Sequence, residues 1–176
     1  MNDALASPYA MSRDELNAFL TEVRFASVTT LRKDGSPLTI ALGYDWDGDS
    51  LFLSIRNTRT IVRRLARDPR VCVTVYNSVY PPVYAILEGC AEPCDDPGYE
   101  RSRKLQLKYM APDSPAMSMK GLDLEEFWRN WTGVGRKTYS IRPARITTED
   151  ANKRDDHAKV GGAGISDARA KARGEL

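Results

Sequence analysis

The amino-acid sequence predicts a small, mainly β domain in which six short, mostly antiparallel strands close into a barrel and helices pack across its openings. Three observations support this fold class. Runs of apolar and β-branched residues of strand length recur along the chain, and the first of them are separated by short turns that contain Asp-Gly. Stretches with helical spacing lie between these runs. The length of 176 residues is that of one domain.

The first half of the chain is predicted to be a helix followed by three strands. A capping box marks the start of the helix, because Ser12 is followed three residues later by Glu15 and then by apolar residues at helical spacing. The three strands lie at residues 25–31, 38–44 and 51–55. Since the intervening turns are short, we expect these strands to form an antiparallel meander.

The second half begins with a helix over residues 59–67, which ends before an Asp-Pro pair. Further strands are predicted at 71–76, 83–91 and 135–142, and further helices at 95–109 and 122–131. Pro143 is expected to close the last strand. We therefore expect one barrel domain at residues 1–148, with a helical excursion at about 95–131, and a mobile charged tail at residues 149–176.

The composition excludes several classes of protein. The chain carries 26 Lys and Arg against 24 Asp and Glu and has no apolar run of membrane-spanning length, so we expect no membrane partner. The three cysteines and the absence of signal-peptide features favour reduced thiols in a cytoplasmic protein. The single histidine, His157, lies in a polar, Gly-rich segment. Catalytic triads and histidine metal sites are therefore disfavoured, and no metal is expected.

Six arginines are concentrated in and around the second predicted helix. Arg59, Arg63 and Arg67 recur every four residues, so they share one face of that helix. Thr58 can cap the helix, which would place its free N–H groups beside Arg56 and Arg59. The pattern indicates a phosphate site, and a solvated helix face is the alternative.

Four segments of the chain match a known family in order and spacing. They are FASVTTL at 25–31 with DGSP at 34–37, LFLSI at 51–55, LARDPRV at 65–71 and VYAILEGCA at 83–91. The last segment is similar to the Y-x-x-x-x-G-x-A strand of that family. Together they resemble the split β-barrel flavin and deazaflavin oxidoreductases, also called pyridoxamine 5'-phosphate oxidase-like proteins. The resemblance is good over residues 12–93 and loose over 94–148.

The resemblance implies an FMN-binding split β-barrel that forms a homodimer with a cofactor site at the subunit interface. The cofactor would be FMN or, alternatively, the deazaflavin coenzyme F-420. The residues implied beside the ring are Thr39, Ile40 and Ala41, and those implied at the phosphate are Ser54, Ile55, Arg56, Thr58, Arg59 and Thr60. The family commonly has a phosphate-binding lysine where this chain has Ile61, so Arg56 or Arg59 would have to replace it.

The function implied by the resemblance is hydride transfer between the bound cofactor and a small organic substrate. Tyr84 and Trp128 are candidate substrate-side residues, with a place in the core or the dimer interface as the alternative. Arg136 and Lys137 could reach a partner's cofactor, although exposed strand positions are the simpler interpretation. A non-catalytic flavin-binding protein is a second hypothesis. A nucleic-acid-binding module that uses the arginine helix is a third, which the net charge of only +2 disfavours.

Overall fold

The protein is described here by a computed structural model, which covers residues 7–110 and 123–154. The elements in chain order are α1 (Arg13–Thr21), β1 (Ala26–Leu31), β2 (Pro37–Leu42), β3 (Asp45–Trp46), β4 (Leu51–Arg56), α2 (Thr60–Arg67), β5 (Arg70–Tyr76), β6 (Val83–Cys94), α3 (Glu100–Met110), α4 (Leu124–Gly133) and β7 (Arg136–Asp150). A 3-10 turn at Ala151–Lys153 follows the last strand.

Within the described residues, seven strands form one curled antiparallel sheet in the order β2-β1-β5-β6-β7-β4-β3. This confirms the mainly β class with packed helices, and the curled half-barrel is consistent with a split barrel. The predicted number of six strands is wrong. The additional strand is β3, which is only two residues long and lies inside a segment that the sequence predicts as a turn.

The predicted hairpin of the first two strands is confirmed, since β1 pairs with β2 from Ala26↔Leu42 to Leu31↔Pro37. The predicted meander is wrong, because β4 pairs with β7 and β3 instead of β2. A short turn predicts that the chain reverses, but burial decides which strand becomes the neighbour. Leu51, Phe52 and Leu53 are all buried, so β4 needs cover on both of its faces.

The last strand does not end at Pro143, as the sequence predicts, but continues to Asp150. Its pairing with β6 shifts register between Glu88 and Gly89, opposite Pro143. Proline is tolerated at such an irregularity because one backbone N–H is not needed there. The strand therefore passes the predicted domain end at residue 148, and most of the predicted tail, residues 155–176, lies outside the described residues.

The core fills the inside of the curled sheet, and two helices close it. The capping box of α1 is confirmed, with Ser12 Oγ accepting from the Glu15 N–H and the Glu15 carboxylate accepting from the Ser12 N–H. Helix α2 buries the apolar stripe of Ile61, Val62 and Leu65. Such a stripe supplies most of the stability of a short helix, because propensity alone is marginal at this length.

Helix α3 packs against β4 and against the segment that follows β2, at the gap between the two ends of the sheet. The Tyr109 hydroxyl accepts from the Tyr44 N–H at 2.8 Å and donates to the Arg24 carbonyl at 2.7 Å. Gly43 permits this contact, because a Cβ there would lie 2.9 Å from the Tyr109 ring. The helix begins later than predicted, since the Asp96 carboxylate accepts from the N–H groups of residues 101 and 102 and caps its first turn.

Two expectations from composition concern cysteines and membranes. Cys72, Cys90 and Cys94 are all free thiols. Among residues 7–110 and 123–154, no helix combines the length and the apolar character that crossing a membrane requires.

Lys108 of α3 should make the stability of the protein depend on pH. Its Nζ donates to the Leu20 carbonyl at 3.3 Å and lies 4.4 Å from the centre of the Tyr44 ring. Burial lowers the pKa of Lys108 from 10.5 to about 8, against an opposing effect of Asp45. Between about pH 8 and 10.5 the unfolded chain thus binds more protons than the folded one, so the free energy of unfolding should rise with pH.

Urea unfolding of the wild type and of Lys108→Met, measured from pH 7 to 10.5, tests this expectation. The stability of the wild type should increase relative to that of the variant across the interval. Lys33→Met changes an exposed lysine and should run parallel to the wild type. A difference between wild type and Lys108→Met that stays constant with pH would show that Lys108 titrates normally.

Candidate active site

A cleft of about 260 Å³ lies at the gap in the barrel, between the end of β2, β4 and the covering helix α3. Its lining combines backbone and small side chains from β2 with charged and polar groups from the other elements. The lining residues are Phe25, Ala41, Leu42, Gly43, Ser54, Arg59, Leu105, Gln106, Tyr109 and Arg136. The cleft therefore brings together segments that are far apart in the sequence.

A larger cleft of about 520 Å³ shares Arg136 with the first one. Its lining includes the neighbouring carboxylates of Asp95 and Asp96 and the prolines on either side of them. Two carboxylates oppose the binding of an anion. We place the candidate site in the smaller cleft because predicted residues Ala41, Ser54 and Arg59 line it.

Arg136, at the start of β7, is the best-anchored cation of the site. Its Nε donates to Ser54 Oγ at 2.8 Å, and a terminal nitrogen donates to the Ser54 carbonyl at 2.8 Å. The guanidinium carbon lies 4.0 Å from the centre of the Trp131 ring, within range of a cation–π contact. These hydrogen bonds use two of the five N–H donors of the group, and three are left for a ligand.

Two more arginines lie beside Arg136. Arg56 is its direct partner in the pairing of β4 with β7, and Arg59 lines the cleft. Burial, followed by the positive charges of Arg56 and Arg59, lowers the pKa of Arg136 to about 10. Among the residues that the structure describes, no carboxylate forms an ion pair with any of the three. Three like charges without a counter-charge favour the binding of an anion.

The amino-terminal end of α2 adds backbone donors to this group. Arg59 is the N-cap residue and makes no side-chain capping hydrogen bond. The predicted cap, Thr58, is wrong by one residue, because the Arg59 N–H donates to the Arg56 carbonyl and the turn of residues 56–59 delays the start of the helix. The first N–H groups of α2 consequently lack a side-chain partner, as at many anion-binding helix ends.

A chain of hydroxyl groups holds Ser54 in place beneath Arg136. Ser54 Oγ donates to Ser102 Oγ at 2.8 Å, and Ser102 Oγ lies 2.9 Å from Thr138 Oγ1. Thr138 Oγ1 donates to Asp96, the residue that caps α3. Because its own hydrogen is used on Ser102, the Ser54 hydroxyl acts as an acceptor for Arg136 and holds that side chain in place.

The sequence profile of the pyridoxamine 5'-phosphate oxidase family matches residues 12–128 of the chain. The chain belongs to this family. The matched region includes β2 and β4, which both line the cleft, and all of α2 and α3. No protein with a curated description matches the sequence significantly.

Solved structures share the fold at low sequence identity. An F-420 reductase aligns with a TM-score of 0.58 and 23% identity, over 74% of this chain and 94% of that one. The conserved hypothetical protein Rv2991 from Mycobacterium tuberculosis aligns with a TM-score of 0.66 and 20% identity, over 84% and 90%. A FAD-binding protein from Mesorhizobium loti gives 0.55 and 17%, over 79% and 93%. These likenesses support the split-barrel fold that the family implies.

Of the three residues that the family resemblance implies beside the ring, only Ala41 lines the cleft. Ile40 packs against the core, because alternate residues of a strand point to opposite faces. Thr39 is exposed, and its hydroxyl lies 2.7 Å from that of Thr29 on the paired strand.

Of the residues implied at the phosphate, Ser54 and Arg59 line the cleft, while Arg56, Thr58 and Thr60 are exposed around the same turn. Ile55 differs from this expectation, since its side chain is 1% exposed and belongs to the core. Ile61, which occupies the position of the family's lysine, is also 1% exposed. An apolar residue at that position packs in the core, so the positive charge at the cleft comes from neighbouring arginines.

Arg136 is the cleft residue whose position the sequence interpretation misjudged, because an exposed strand position was preferred over one near a partner's cofactor. The predicted exposed strand position is wrong for Arg136, whose side chain is half-buried, and is confirmed for Lys137. The structure pairs the last strand with the third predicted strand, and this pairing places Arg136 opposite Arg56. The sequence pattern alone does not specify that pairing.

The two substrate-side candidates lie in different places. Trp128 packs edge-on against Trp131, with ring centres 5.4 Å apart, so it is one ring away from Arg136. The Tyr84 hydroxyl donates to the Glu149 carboxylate. Tyr84 lies ten residues before Cys94, and Cys94 is the residue of β6 that pairs with Thr138, close to Arg136 at the start of β7. Ten residues of a strand span about 33 Å. Tyr84 therefore does not line this cleft.

Helix α2, which carries the predicted arginine face, does not direct all of its arginines towards a ligand. Arg64 donates to Thr30 Oγ1 at 3.0 Å and Arg67 to the Leu31 carbonyl at 2.6 Å, so both fasten α2 to β1. A nucleic-acid surface would need these cations to face phosphates. Arg59, in contrast, lines the cleft.

Gly135 should be required for the geometry of the turn beside the cleft. Its φ is +62°, and a Cβ there would lie 2.8 Å from Asn57 Nδ2, while its carbonyl accepts from the Asn57 N–H. Gly135→Ala should therefore lower the free energy of unfolding by about 1–2 kcal/mol, the cost of a left-handed alanine. Chemical denaturation measures this change.

Gly133→Ala is the matched control, because that glycine is helical and a Cβ there meets no atom within 4 Å. This variant should be neutral or more stable than the wild type. Equal stabilities of the two alanine variants would contradict the role assigned to Gly135.

Proposed function

We propose that the protein is an oxidoreductase that transfers a hydride between bound FMN and a small organic substrate, with coenzyme F-420 as the alternative cofactor. One observation carries this proposal. Arg59 and Arg136, which have no carboxylate partner among the described residues, line a cleft beside the uncapped start of α2 in a chain of the pyridoxamine 5'-phosphate oxidase family, and Arg56 is paired with Arg136. Similar structures that include an F-420 reductase and a FAD-binding protein support a flavin-type ligand.

The donor set fits the phosphate of such a cofactor. A guanidinium pairs with two phosphate oxygens, and the free N–H groups of a helix start can take a third. In the proposal Arg59 and Arg136 contact the phosphate directly, and Arg56 adds charge from the adjoining strand. Thr58 and Thr60, exposed on the same turn, add hydroxyl donors.

The edge of β2 suits the cofactor ring. Strand β2 is paired with β1 on one side and with no other described strand, so alternate backbone N–H and C=O groups face outward. Ala41 and Gly43 leave room for a flat group against this edge. The volume of about 260 Å³ is below the roughly 300 Å³ at which small-molecule sites begin, so we propose that a second subunit of a homodimer completes the site.

The chain's own residues would bind and orient the reactants. The cofactor, when bound, supplies the hydride chemistry. Arg59 and Arg136 hold its anionic end, and the wall formed by Leu105 and Tyr109 excludes water from one side of the cleft. A cytoplasmic location, which the three free cysteines support, belongs to the same proposal.

A non-catalytic flavin-binding protein is the second candidate, and one observation favours it. No histidine, cysteine or carboxylate lines the described cleft, and the Tyr109 hydroxyl is already bonded to two backbone groups. The cleft thus offers no obvious side chain for proton transfer. Stopped-flow reoxidation of the reduced, loaded protein separates the candidates, because an enzyme transfers its hydride to an organic acceptor faster than to oxygen.

Arg59→Ala tests the placement of the phosphate. Loss of a charged hydrogen bond costs about 1.5–3 kcal/mol, so the variant should bind FMN roughly 10- to 150-fold more weakly. Arg63→Ala removes an exposed arginine of the same helix that does not line the cleft and should bind like the wild type. Quenching of FMN fluorescence and a parallel titration with F-420 measure both affinities.

Mass spectrometry of the small molecule released on denaturation identifies the natural cofactor. Equal affinities of Arg59→Ala and Arg63→Ala for every flavin tested would show that the phosphate binds elsewhere. Wild-type protein that binds neither FMN nor F-420 would overturn the proposed function itself.

A further inference from the structure

Gln106 lies on the wall of the cleft that α3 provides. The residue is half-buried and lines the same space as Arg59 and Arg136. Its Oε1 accepts a hydrogen bond from the indole Nε1 of Trp131 at 3.2 Å. Its NH2 group has no hydrogen-bond partner among the described residues, so both of its hydrogens can be donated to a ligand.

Trp131 determines which end of the Gln106 amide faces the cleft. An indole nitrogen is only a donor, so a reversed amide would bring the NH2 group against the indole N–H. Trp131 is 7% exposed and is packed under the Arg136 guanidinium, which limits its own movement. One buried ring therefore orients two donors of the site, Gln106 through its edge and Arg136 through its face.

The donors left unused on the polar side chains that line the cleft belong to Arg59, Arg136 and Gln106. The Ser54 hydroxyl gives its hydrogen to Ser102 and accepts from Arg136, and the Tyr109 hydroxyl is bonded to backbone groups. A ligand atom that faces the Gln106 NH2 group must therefore be an acceptor if it is to replace the hydrogen bonds it had in water. A carbonyl or carboxylate oxygen has this chemistry.

We propose that Gln106 recognises an acceptor oxygen of the ligand in the cleft and that Trp131 is the positioning residue that presents its NH2 group. This inference rests on the proposed function of the cleft as a flavin-type site. The oxygen belongs to a carbonyl of the cofactor ring or to a carbonyl or carboxylate of the substrate. The chemistry is the same in both cases, and binding measurements with the two kinds of ligand distinguish them.

The experiment compares three variants in two titrations, one with FMN and one of the FMN-loaded protein with benzoate as a planar carboxylate probe. Gln106→Glu keeps the size of the side chain and an acceptor for Trp131, but it presents a second oxygen to the ligand. It should weaken the binding of the recognised ligand by about tenfold or more, since a donor becomes a repelling acceptor. Trp131→Phe keeps a ring under Arg136 and loses the indole N–H, so a loss of a few-fold is expected.

Leu107→Ala, at an exposed position next to Gln106, is the control and should leave both titrations unchanged. NMR of the side-chain NH2 signals gives a readout that a merely structural role would not move. The Gln106 pair, assigned by its absence from the Gln106→Glu spectrum, should shift on addition of the recognised ligand to the wild type.

The outcomes separate the sources of the oxygen. Weaker FMN binding by Gln106→Glu together with an FMN-induced shift of the wild-type Gln106 NH2 signals assigns it to the cofactor ring, and a shift induced by benzoate alone assigns it to the substrate. Gln106 NH2 signals that stay stationary with both ligands would overturn the inference, whatever the affinity of Gln106→Glu, while wild-type FMN binding upholds the proposed function. Wild-type protein that binds neither FMN nor F-420 would overturn both.

Discussion

The two-point hydrogen bonding of Arg136 to Ser54 is the interaction on which the candidate site depends. It joins β7 to β4, the two strands that bring the last part of the sheet next to the segment leading into α2. Each hydrogen bond to a charged group contributes about 1.5–3 kcal/mol, and stacking on Trp131 adds a contact with the helical excursion. A single guanidinium thus fixes three elements relative to one another.

Holding a cation in this position has a cost that the surrounding structure offsets. Burial and two neighbouring arginines disfavour the charged form of Arg136, as its lowered pKa of about 10 indicates. The hydroxyl chain from Ser54 through Ser102 to Thr138 fixes the acceptor that compensates part of this cost. An anionic ligand would compensate more of it. The same charge concentration that is unfavourable for the free protein is therefore favourable for binding.

The helical excursion has a second effect on the cleft. Tyr109 fastens α3 over the gap between the ends of the sheet, and Trp131 of α4 packs beneath Arg136. The excursion closes one side of the cleft and leaves the side along β2 open. Such an arrangement suits a flat ligand that enters along the strand edge, as we propose for the cofactor.

The sequence by itself determined the local features of this protein: the capping box of α1, the β1–β2 hairpin, the apolar stripe of α2 and the family resemblance with Ala41, Ser54 and Arg59. Each of these depends on residues that are close together in the chain or on a pattern of fixed spacing. Only the tertiary structure decided that β4 pairs with β7, that Ile55 faces the core and that Arg136 faces the cleft. These outcomes depend on which strand becomes the neighbour of which, and that choice is made by burial across the whole sheet, which no local spacing records.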